Sequence, residues 1–264
     1  MSDEIDKSRN GVQSIEVGAS LLRALANSSR AMMLRDLAAE AKMPAAKAHR
    51  YLVSFIRMGL VEQDPATGRY GLGEFALHLG LSALARIEPV QLATPILREL
   101  GEAIGQTVAI AVWGNKGPTI VRWFGSDTPV SASLRLGSVM PVTRSATGGA
   151  FLAFLPEKMT RALLKEELAE NLRLGLQPRK LEDVSRWVQQ TRRHGVARTS
   201  DFIPGISGIA APVFDYNGTM AMALVALGYT GNFDRSLKGE LVTAVLRVAD
   251  QISRRLGREE TLPS

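Results

Sequence analysis

The 264-residue sequence predicts an α+β protein in two parts, and two patterns support this prediction. Near the N-terminus, three short segments with helical hydrophobic spacing precede a small hairpin. Further along the chain, strand-like runs come first, helices follow, and strands return before a last helix. Elements in that order favour an antiparallel sheet covered by helices.

The N-terminal part is predicted to hold three helices and a hairpin. The helices cover about 13–26, 34–41 and 44–58, where Pro44 suits the first turn of the third helix. The turn-forming residues Asp64 to Gly68 then separate two short extended runs. This order is that of a winged helix-turn-helix, whose third helix enters the major groove of DNA while the hairpin, or wing, contacts the flanking backbone.

Positive charge is concentrated in the same part. The chain has 32 Lys and Arg against 26 Asp and Glu. The segment from Arg30 to Arg57 contains six basic residues and two acidic ones. Such a cluster favours a nucleic-acid partner, because contacts to phosphates supply much of the affinity for DNA. A later basic run, Arg192-Arg193-His194 before Gly195, is more simply the last turn of a helix.

Composition excludes several classes of protein. The chain has no cysteine, which removes disulfides, thiolate chemistry and Cys-ligated metals, and its three histidines are not spaced as metal ligands. We therefore expect no metal and no cofactor. Apolar runs fall short of the roughly 20 residues of a membrane span, and the acidic N-terminus does not resemble a secretory signal, so we expect a cytoplasmic protein that does not contact membranes.

We expect a DNA-binding domain over 10–73, a linker over 74–89 and a second domain over 90–264. The segment 73–87 is apolar around most of a helical circumference, so it must be buried against something. A second copy of the same helix is the expected cover. His78 in this segment is interpreted as an interface residue rather than a catalytic one.

The second domain is predicted from its punctuation and hydrophobic runs. A hairpin signal at Asn217-Gly218 lies between the last two predicted strands. The predicted elements are a helix over 91–103, strands over 107–113, 119–124 and 130–136, helices over 147–155, 159–171 and 181–194, strands over 208–214 and 219–227, and a last helix that ends near Leu256.

Motifs along nearly the whole chain resemble those of the IclR-type bacterial transcriptional regulators. The matching segments include Pro44-Ala45-Ala46-Lys47-Ala48-His49-Arg50-Tyr51-Leu52, Thr67-Gly68-Arg69-Tyr70, Ser145-Ala146-Thr147-Gly148-Gly149-Ala150 and Gly205-Ile206-Ser207-Gly208-Ile209-Ala210-Ala211-Pro212. The resemblance implies a homodimer or dimer of dimers on double-stranded operator DNA. It also implies a GAF-like C-terminal domain that binds a small-molecule effector.

We expect DNA contacts on the third helix and the wing, by Lys47, His49, Arg50, Ala45, Ala46, Tyr51 and Arg69. The alternative for Arg50 is an ion pair with Asp36 or Glu40 inside the domain. Where the family usually has a Ser-Thr pair this chain has Ala46 and Lys47, so the family's operator sequences do not transfer. The preceding turn has Lys42 where Gly is common. A left-handed residue other than glycine costs roughly 1–2 kcal/mol, so either the turn is of another type or Lys42 carries that cost.

For the effector, the resemblance implies a pocket with a less polar wall than usual, because Gly208, Val225 and Leu227 stand where the family often has Cys and two Ser. An apolar wall favours a ligand with an apolar body. Asp201 matches an acidic ligand contact of the family. The other candidate effector residues are Thr147, Gly148, Gly149, Ser207, Trp113 and Trp123, although core packing or a dimer contact is an equal alternative for the two tryptophans.

Arg144 is the candidate partner for an acidic group of the effector. It precedes a predicted helix whose first N–H groups attract anions, and a guanidinium can bind a carboxylate through two hydrogen bonds. The alternative is a surface arginine that pairs with Asp or Glu.

Two other classes of function are disfavoured. Ser145 to Gly149 lacks the form of a nucleophile elbow, and the chain has no phosphate-binding Gly-Lys-Ser/Thr motif. An architectural DNA-binding protein would not need so large a second domain. We therefore expect a transcriptional regulator controlled by an aromatic or partly apolar carboxylate in a catabolic pathway. The sequence leaves open the effector, the operator, the sign of regulation and the choice between dimer and tetramer.

Overall fold

The computed structural model describes residues 12–28, 30–84, 88–125, 134–178 and 180–259, without the side chains of residues 83, 84 and 201. The chain folds into two compact units, 1–87 and 88–264. The predicted boundaries between the DNA-binding domain, the linker and the second domain, at residues 73 and 89, stay a prediction. Within the described ranges, no helix has the length and hydropathy needed to cross a bilayer.

The first unit contains the predicted winged helix-turn-helix. Its elements are α1 (Gln13–Ala26), α2 (Leu34–Glu40), α3 (Ala45–Arg57), β1 (Val61–Gln63), β2 (Tyr70–Leu72) and α4 (Glu74–Leu84). The strands β1 and β2 pair antiparallel, with Gln63 opposite Tyr70. One apolar cluster that includes Leu21, Leu37 and Leu52 holds the three helices together, which leaves the opposite side of α3 free for contacts.

Lys42 adopts the left-handed conformation in the turn between α2 and α3, with φ at 51°. Its N–H donates to the Ala39 carbonyl at 3.0 Å, and the Met43 N–H donates to the Ala38 carbonyl at 2.9 Å. These two hydrogen bonds form a Schellman motif, in which glycine is the usual left-handed residue. The sequence left open whether the turn is of another type or Lys42 is left-handed. Lys42 is left-handed, so the chain carries the steric cost of this conformation.

The second unit is an antiparallel five-stranded sheet with helices. Its elements are α5 (Pro89–Ile104), β3 (Thr107–Gly114), β4 (Gly117–Phe124), α6 (Ala146–Phe154), α7 (Glu157–Leu174), α8 (Leu181–His194), β5 (Ala197–Ile203), β6 (Ile206–Phe214), β7 (Met220–Tyr229), a single 3₁₀ turn at Thr230–Asn232, and α9 (Glu240–Arg255). The strand order is β4-β3-β7-β6-β5, and every neighbouring pair is antiparallel.

Helices cover both faces of this sheet. Val225 and Leu227 of β7 belong to an apolar cluster with Ala150 and Phe151 of α6. Because side chains alternate along a strand, Leu224 points to the other face, where α5 and α9 pack on the sheet and on each other. Gly208, Val225 and Leu227 lie on the α6 side, whereas the Ser207 hydroxyl bonds to the Thr230 hydroxyl at 3.1 Å.

Two sequence predictions need correction. The strand β5 was missed because its sequence, Ala-Arg-Thr-Ser-Asp-Phe-Ile, is largely polar, and it pairs only with β6 at the edge of the sheet. The strand predicted over 130–136 falls mainly on residues outside the described ranges. The part that is described, Leu134 to Leu136, is not in a strand and leads into a turn at Gly137, where φ is 86°.

Candidate DNA-binding surface and effector site

The exposed side of α3 carries the predicted DNA contacts. Ala48 is fully buried in the core, whereas Ala45, Ala46 and His49 are exposed. A groove of about 340 Å³ is lined by Lys47, Arg50, Tyr51 and Ser54. Their spacing of three, four and seven residues places them along one side of the helix, so two cations and a phenol face outward together.

Both cations of this groove are available to a partner. In the described part of the chain, neither Lys47 nor Arg50 has an acidic side chain within ion-pair distance, and Asp36 pairs instead with Arg35 at 3.9 Å. Within the described residues, the alternative of an internal ion pair between Arg50 and Asp36 or Glu40 is therefore not formed.

The wing is shaped by Asp64. Its carboxylate accepts hydrogen bonds from the Ala66 N–H at 2.8 Å and the Thr67 hydroxyl at 2.7 Å. The Thr67 hydroxyl, followed by the Ala66 N–H, holds the pKa of Asp64 below its ordinary value. Arg69 is exposed next to this turn and donates from Nη1 to the Ala31 carbonyl at 3.1 Å. The guanidinium thus stays at the surface beside α2.

Five of the candidate effector residues, Arg144, Thr147, Ser207, Gly208 and Leu227, line one or the other of two neighbouring cavities of the second unit. The inner cavity, about 10 Å³, is lined by Thr147, Ser207, Gly208 and Leu227 among others. The outer cavity, about 680 Å³, is lined by Arg144, Trp187, Arg198 and Phe202 among others. Both cavities are lined by Thr199 and Phe202, so these two residues stand between them.

Leu227 closes the inner cavity. Its Cδ2 atom lies 2.9 Å from the position that a Cβ atom on Gly208 would take, so Leu227 uses the space that the glycine leaves. A volume of 10 Å³ is at the lower limit for one water molecule. A cavity of this volume has no room for an organic ligand.

Arg144 lines the outer cavity with an unsatisfied donor. Its Nε atom is buried and has no hydrogen-bond partner in the described residues. Its guanidinium carbon lies 5.4 Å from the centre of the Phe202 ring, within cation–π distance. Among the described residues Arg144 forms no ion pair, and Asp183, which lines the same cavity, pairs with Arg186 instead.

The N-terminus of α6 is less open to an anion than the sequence indicated. The Ser145 hydroxyl accepts from the Gly148 N–H at 2.9 Å, and the Thr199 hydroxyl accepts from the Ala146 N–H at 3.1 Å. Two of the first three helical N–H groups are thus taken by side chains. The attraction for an anion at this place comes from Arg144 rather than from the helix end.

Several candidate residues lie in packing contacts instead of along a cavity. A Cβ atom on Gly148 would overlap the Pro141 carbonyl, and one on Gly149 would overlap the Trp187 ring, so both glycines allow close packing of α6. Val225 is buried in the core beneath α6.

The two tryptophans also line neither cavity. The Trp113 ring packs on Phe151 at 5.6 Å between centroids, and Trp123 packs on the same core. Asp201 lies in β5, but its side chain is outside the described residues.

Sequence reasoning missed Trp187, Arg198 and Phe202. Trp187 lies in a helix whose bounds were predicted, and the other two lie in the missed strand β5. These three residues line the same cavity as Arg144 only because of the tertiary fold. The spacing of residues along the sequence therefore does not indicate that they are neighbours. The described residues hold no group of three or more His, Asp or Glu side chains suited to a metal ion.

Glu167 was also missed, and it fixes the segment that carries Arg144. Its carboxylate accepts from the Val142 N–H at 2.8 Å and the Thr143 N–H at 2.9 Å. It also accepts from the Thr143 hydroxyl, which in turn accepts from the Asn171 amide at 3.0 Å. These bonds tie the residues just before Arg144 to α7.

A winged helix-turn-helix with a free basic face, joined to a second unit that contains cavities, defines a two-domain DNA-binding regulator. The family models for the IclR helix-turn-helix domain and for the bacterial transcriptional regulator IclR C-terminal domain match residues 14–65 and 81–254. The chain belongs to the IclR family of bacterial transcriptional regulators.

Individual relatives agree with this assignment. The glycerol operon regulatory protein of Streptomyces coelicolor is 32% identical over 252 residues, which cover 93% of this chain and 97% of that protein. The crystal structure of Pseudomonas aeruginosa HmgR matches with a TM-score of 0.86 and 36% identity, over 95% of this chain and 100% of that one.

A second solved structure shares the fold alone. It is an IclR homolog from Microbacterium hydrocarbonoxydans complexed with 4-hydroxybenzoate, with a TM-score of 0.54 and 20% identity over 92% of this chain and 98% of that one. Because the family consists of transcriptional regulators, this chain is a regulator and not an enzyme.

Proposed function

We propose that this regulator binds operator DNA as a homodimer or dimer of dimers in the cytoplasm, and that an aromatic or partly apolar carboxylate from a catabolic pathway controls this binding. One observation carries the proposal for the effector. The buried Nε atom of Arg144 has no partner in the described residues, and the Arg144 side chain is part of the wall of a cavity of about 680 Å³.

A carboxylate is the ligand group that satisfies such a guanidinium. A buried donor without a partner costs about 1–3 kcal/mol, and a carboxylate removes that cost while accepting charge-assisted hydrogen bonds. Trp187 and Phe202 offer aromatic surface in the same cavity. A flat apolar ring on the ligand would pack against them. The 4-hydroxybenzoate bound by the Microbacterium homolog is an acid of this class.

The proposal for DNA rests on α3 and the wing. Lys47, Arg50 and Tyr51 line one groove, and His49 is exposed on the same helix. In a winged helix-turn-helix the third helix lies in the major groove, where arginine reads guanine and lysine neutralises phosphates. Arg69 next to the wing turn would then contact the flanking backbone.

The proposal for a dimer rests on α4. Phe75, Leu77, Leu79 and Leu81 are all exposed in the single chain, and Leu77 is 63% exposed. An apolar surface of this extent marks an interface. A second α4 is the proposed cover, since the same residues then meet one another. Sedimentation equilibrium tests this: Leu77→Glu should yield monomers, whereas a wild-type monomer at micromolar concentration would contradict it.

The experiment for the effector compares an acid with its neutral amide. Calorimetry with 4-hydroxybenzoate and 4-hydroxybenzamide should show that wild type binds the acid more tightly and that Arg144→Ala removes this preference. Arg193→Ala, an exposed arginine on α8 that lines neither cavity, is the matched control. If wild type binds both compounds equally, or if Arg144→Ala weakens both equally, the carboxylate assignment fails.

A further inference from the structure

We propose that each operator half-site of this chain contains a thymine and a guanine one or two base pairs apart. Ala46 contacts the methyl group of the thymine, Arg50 binds the edge of the guanine, and Lys47 contacts the phosphate backbone instead of a base. This inference rests on the proposed binding of operator DNA and adds which bases the protein reads.

The side of α3 that points away from the protein core carries Ala46 and Arg50. Ala48 and Leu52 are fully buried and define the side of the helix that packs on the core. With 3.6 residues per turn, residues 46 and 50 lie on the opposite side, and both are exposed. A recognition helix turns this side to the base edges, and its N-terminal residues contact them.

Lys47 lies on one flank of this side. It lines a groove together with Tyr51, whose Cδ1 atom lies 3.1 Å from the position that a Cβ atom on Gly18 would take. This flank therefore adjoins α1 and is turned away from the base edges. A lysine there reaches phosphate as a point charge, and contacts to phosphate carry no sequence information directly.

The Arg50 guanidinium is available to bind a base. Within the described residues it forms no ion pair. The Ser54 hydroxyl, one turn further along α3, donates to the Arg50 carbonyl at 3.3 Å, so this neighbour is engaged with the backbone of its own helix. Arginine recognises guanine through two hydrogen bonds to the O6 and N7 atoms, which no other base presents together.

Ala46 presents a methyl group that neither donates nor accepts a hydrogen bond. The C5-methyl group of thymine is the apolar feature of the major groove, and alanine is one of the side chains that contact it. The amino group of a cytosine at the same place would lose water without gaining an acceptor. Ala46 therefore favours thymine over cytosine.

The spacing of the two residues sets the spacing of the two bases. Ala46 and Arg50 are four residues apart, which is about 6 Å along the helix axis. Successive bases of one DNA strand are about 3.4 Å apart along the duplex. A thymine under Ala46 and a guanine under Arg50 are therefore one or two base pairs apart.

The test uses a duplex that the full-length wild-type protein selects from random DNA. Each thymine of one half-site is replaced in turn by deoxyuridine, which lacks only the methyl group, and each guanine by 7-deazaguanine, which lacks the N7 acceptor. Fluorescence anisotropy gives the dissociation constants. We expect one uridine to weaken wild-type binding about fourfold, and one deazaguanine at a distance of one or two base pairs to weaken it about tenfold.

Variants then assign each effect to a side chain. Ala46→Gly should bind the thymine and uridine duplexes equally, and Arg50→Ala should bind the guanine and deazaguanine duplexes equally. Each variant should keep the discrimination that belongs to the other residue. Lys47→Ala should weaken all duplexes and keep both. Ala169→Gly, exposed on α7 of the second unit, is the control for Ala46→Gly and should behave as wild type does.

These comparisons are ratios measured on one protein, so a general loss of affinity in a variant does not change them. If no uridine weakens wild-type binding, or if Ala46→Gly still discriminates against uridine, the thymine contact is wrong. If Lys47→Ala loses the discrimination against deazaguanine and Arg50→Ala keeps it, the guanine contact is wrong. Binding of DNA by α3 stands in these cases, whereas a wild type that binds no DNA would overturn the proposed function as well.

Discussion

Leu227 and Gly208 fit together across two neighbouring strands, with the Leu227 Cδ2 atom 2.9 Å from the place where a Cβ atom on Gly208 would stand. They are direct partners in the antiparallel register of β6 and β7. The leucine is only 7% exposed. The absence of a side chain at 208 and the size of residue 227 therefore depend on each other.

Gly208→Ala should destabilise the protein by about 1–3 kcal/mol, because the new methyl group forces Leu227 away from its packing. Leu227→Ala alone should cost about 2–5 kcal/mol through lost contacts and a cavity. The double variant should lose less free energy of unfolding than the two single variants lose together, because alanine at position 227 no longer clashes with the new methyl group. Urea unfolding measures all three. Gly231→Ala, where no atom lies near the added methyl, is the control, and strict additivity would refute the coupling.

Lys42→Gly should raise the free energy of unfolding by about 1 kcal/mol. Lys42 holds φ at 51° in the turn before α3, and glycine adopts this conformation without the steric penalty of a Cβ atom. Lys42→Ala keeps the penalty and serves as the control. Thermal and urea unfolding check the result, and equal stability of the two variants would show that the turn stores no such strain.

Lys47→Ala and Arg50→Ala should each weaken operator binding while leaving the fold unchanged. Both side chains lie on the exposed side of α3, and a base contact by arginine is worth about 1–3 kcal/mol. Fluorescence anisotropy on a DNA fragment selected by the wild-type protein measures the loss. Arg23→Ala, exposed on α1, should bind normally. Unchanged affinity in both α3 variants would move the DNA surface elsewhere.

Arg69→Ala should lower the slope of log affinity against log salt by about one unit, because one phosphate contact fewer releases about one counterion fewer. Arg69→Lys keeps the charge and should keep the slope. The same anisotropy assay between about 50 and 200 mM salt supplies the data. A slope that does not change in Arg69→Ala would mean that this arginine only bonds to Ala31.

The sequence predicted local elements well and tertiary neighbours poorly. The helix at 181–194 was predicted with its exact bounds, because its hydrophobic spacing and Gly195 are local signals. Nothing local indicates that Trp187 of this helix faces Arg144. The missed strand β5 gains its structure from pairing with β6, so Arg198 and Phe202 went unnoticed with it. Leu227 was expected to line an open pocket, and it closes one because Gly208 lies opposite.

The response of operator binding to an aromatic acid tests the central claim most directly. Anisotropy titrations of labelled operator DNA should be recorded with wild type and Arg144→Gln, at saturating hydroxybenzoate and at equal concentrations of its amide. We predict that the acid changes the wild-type affinity for DNA about tenfold or more, in one direction, while the amide does not and Arg144→Gln responds to neither. A wild type that ignores every aromatic acid, or an Arg144→Gln protein that responds as wild type does, would contradict the account.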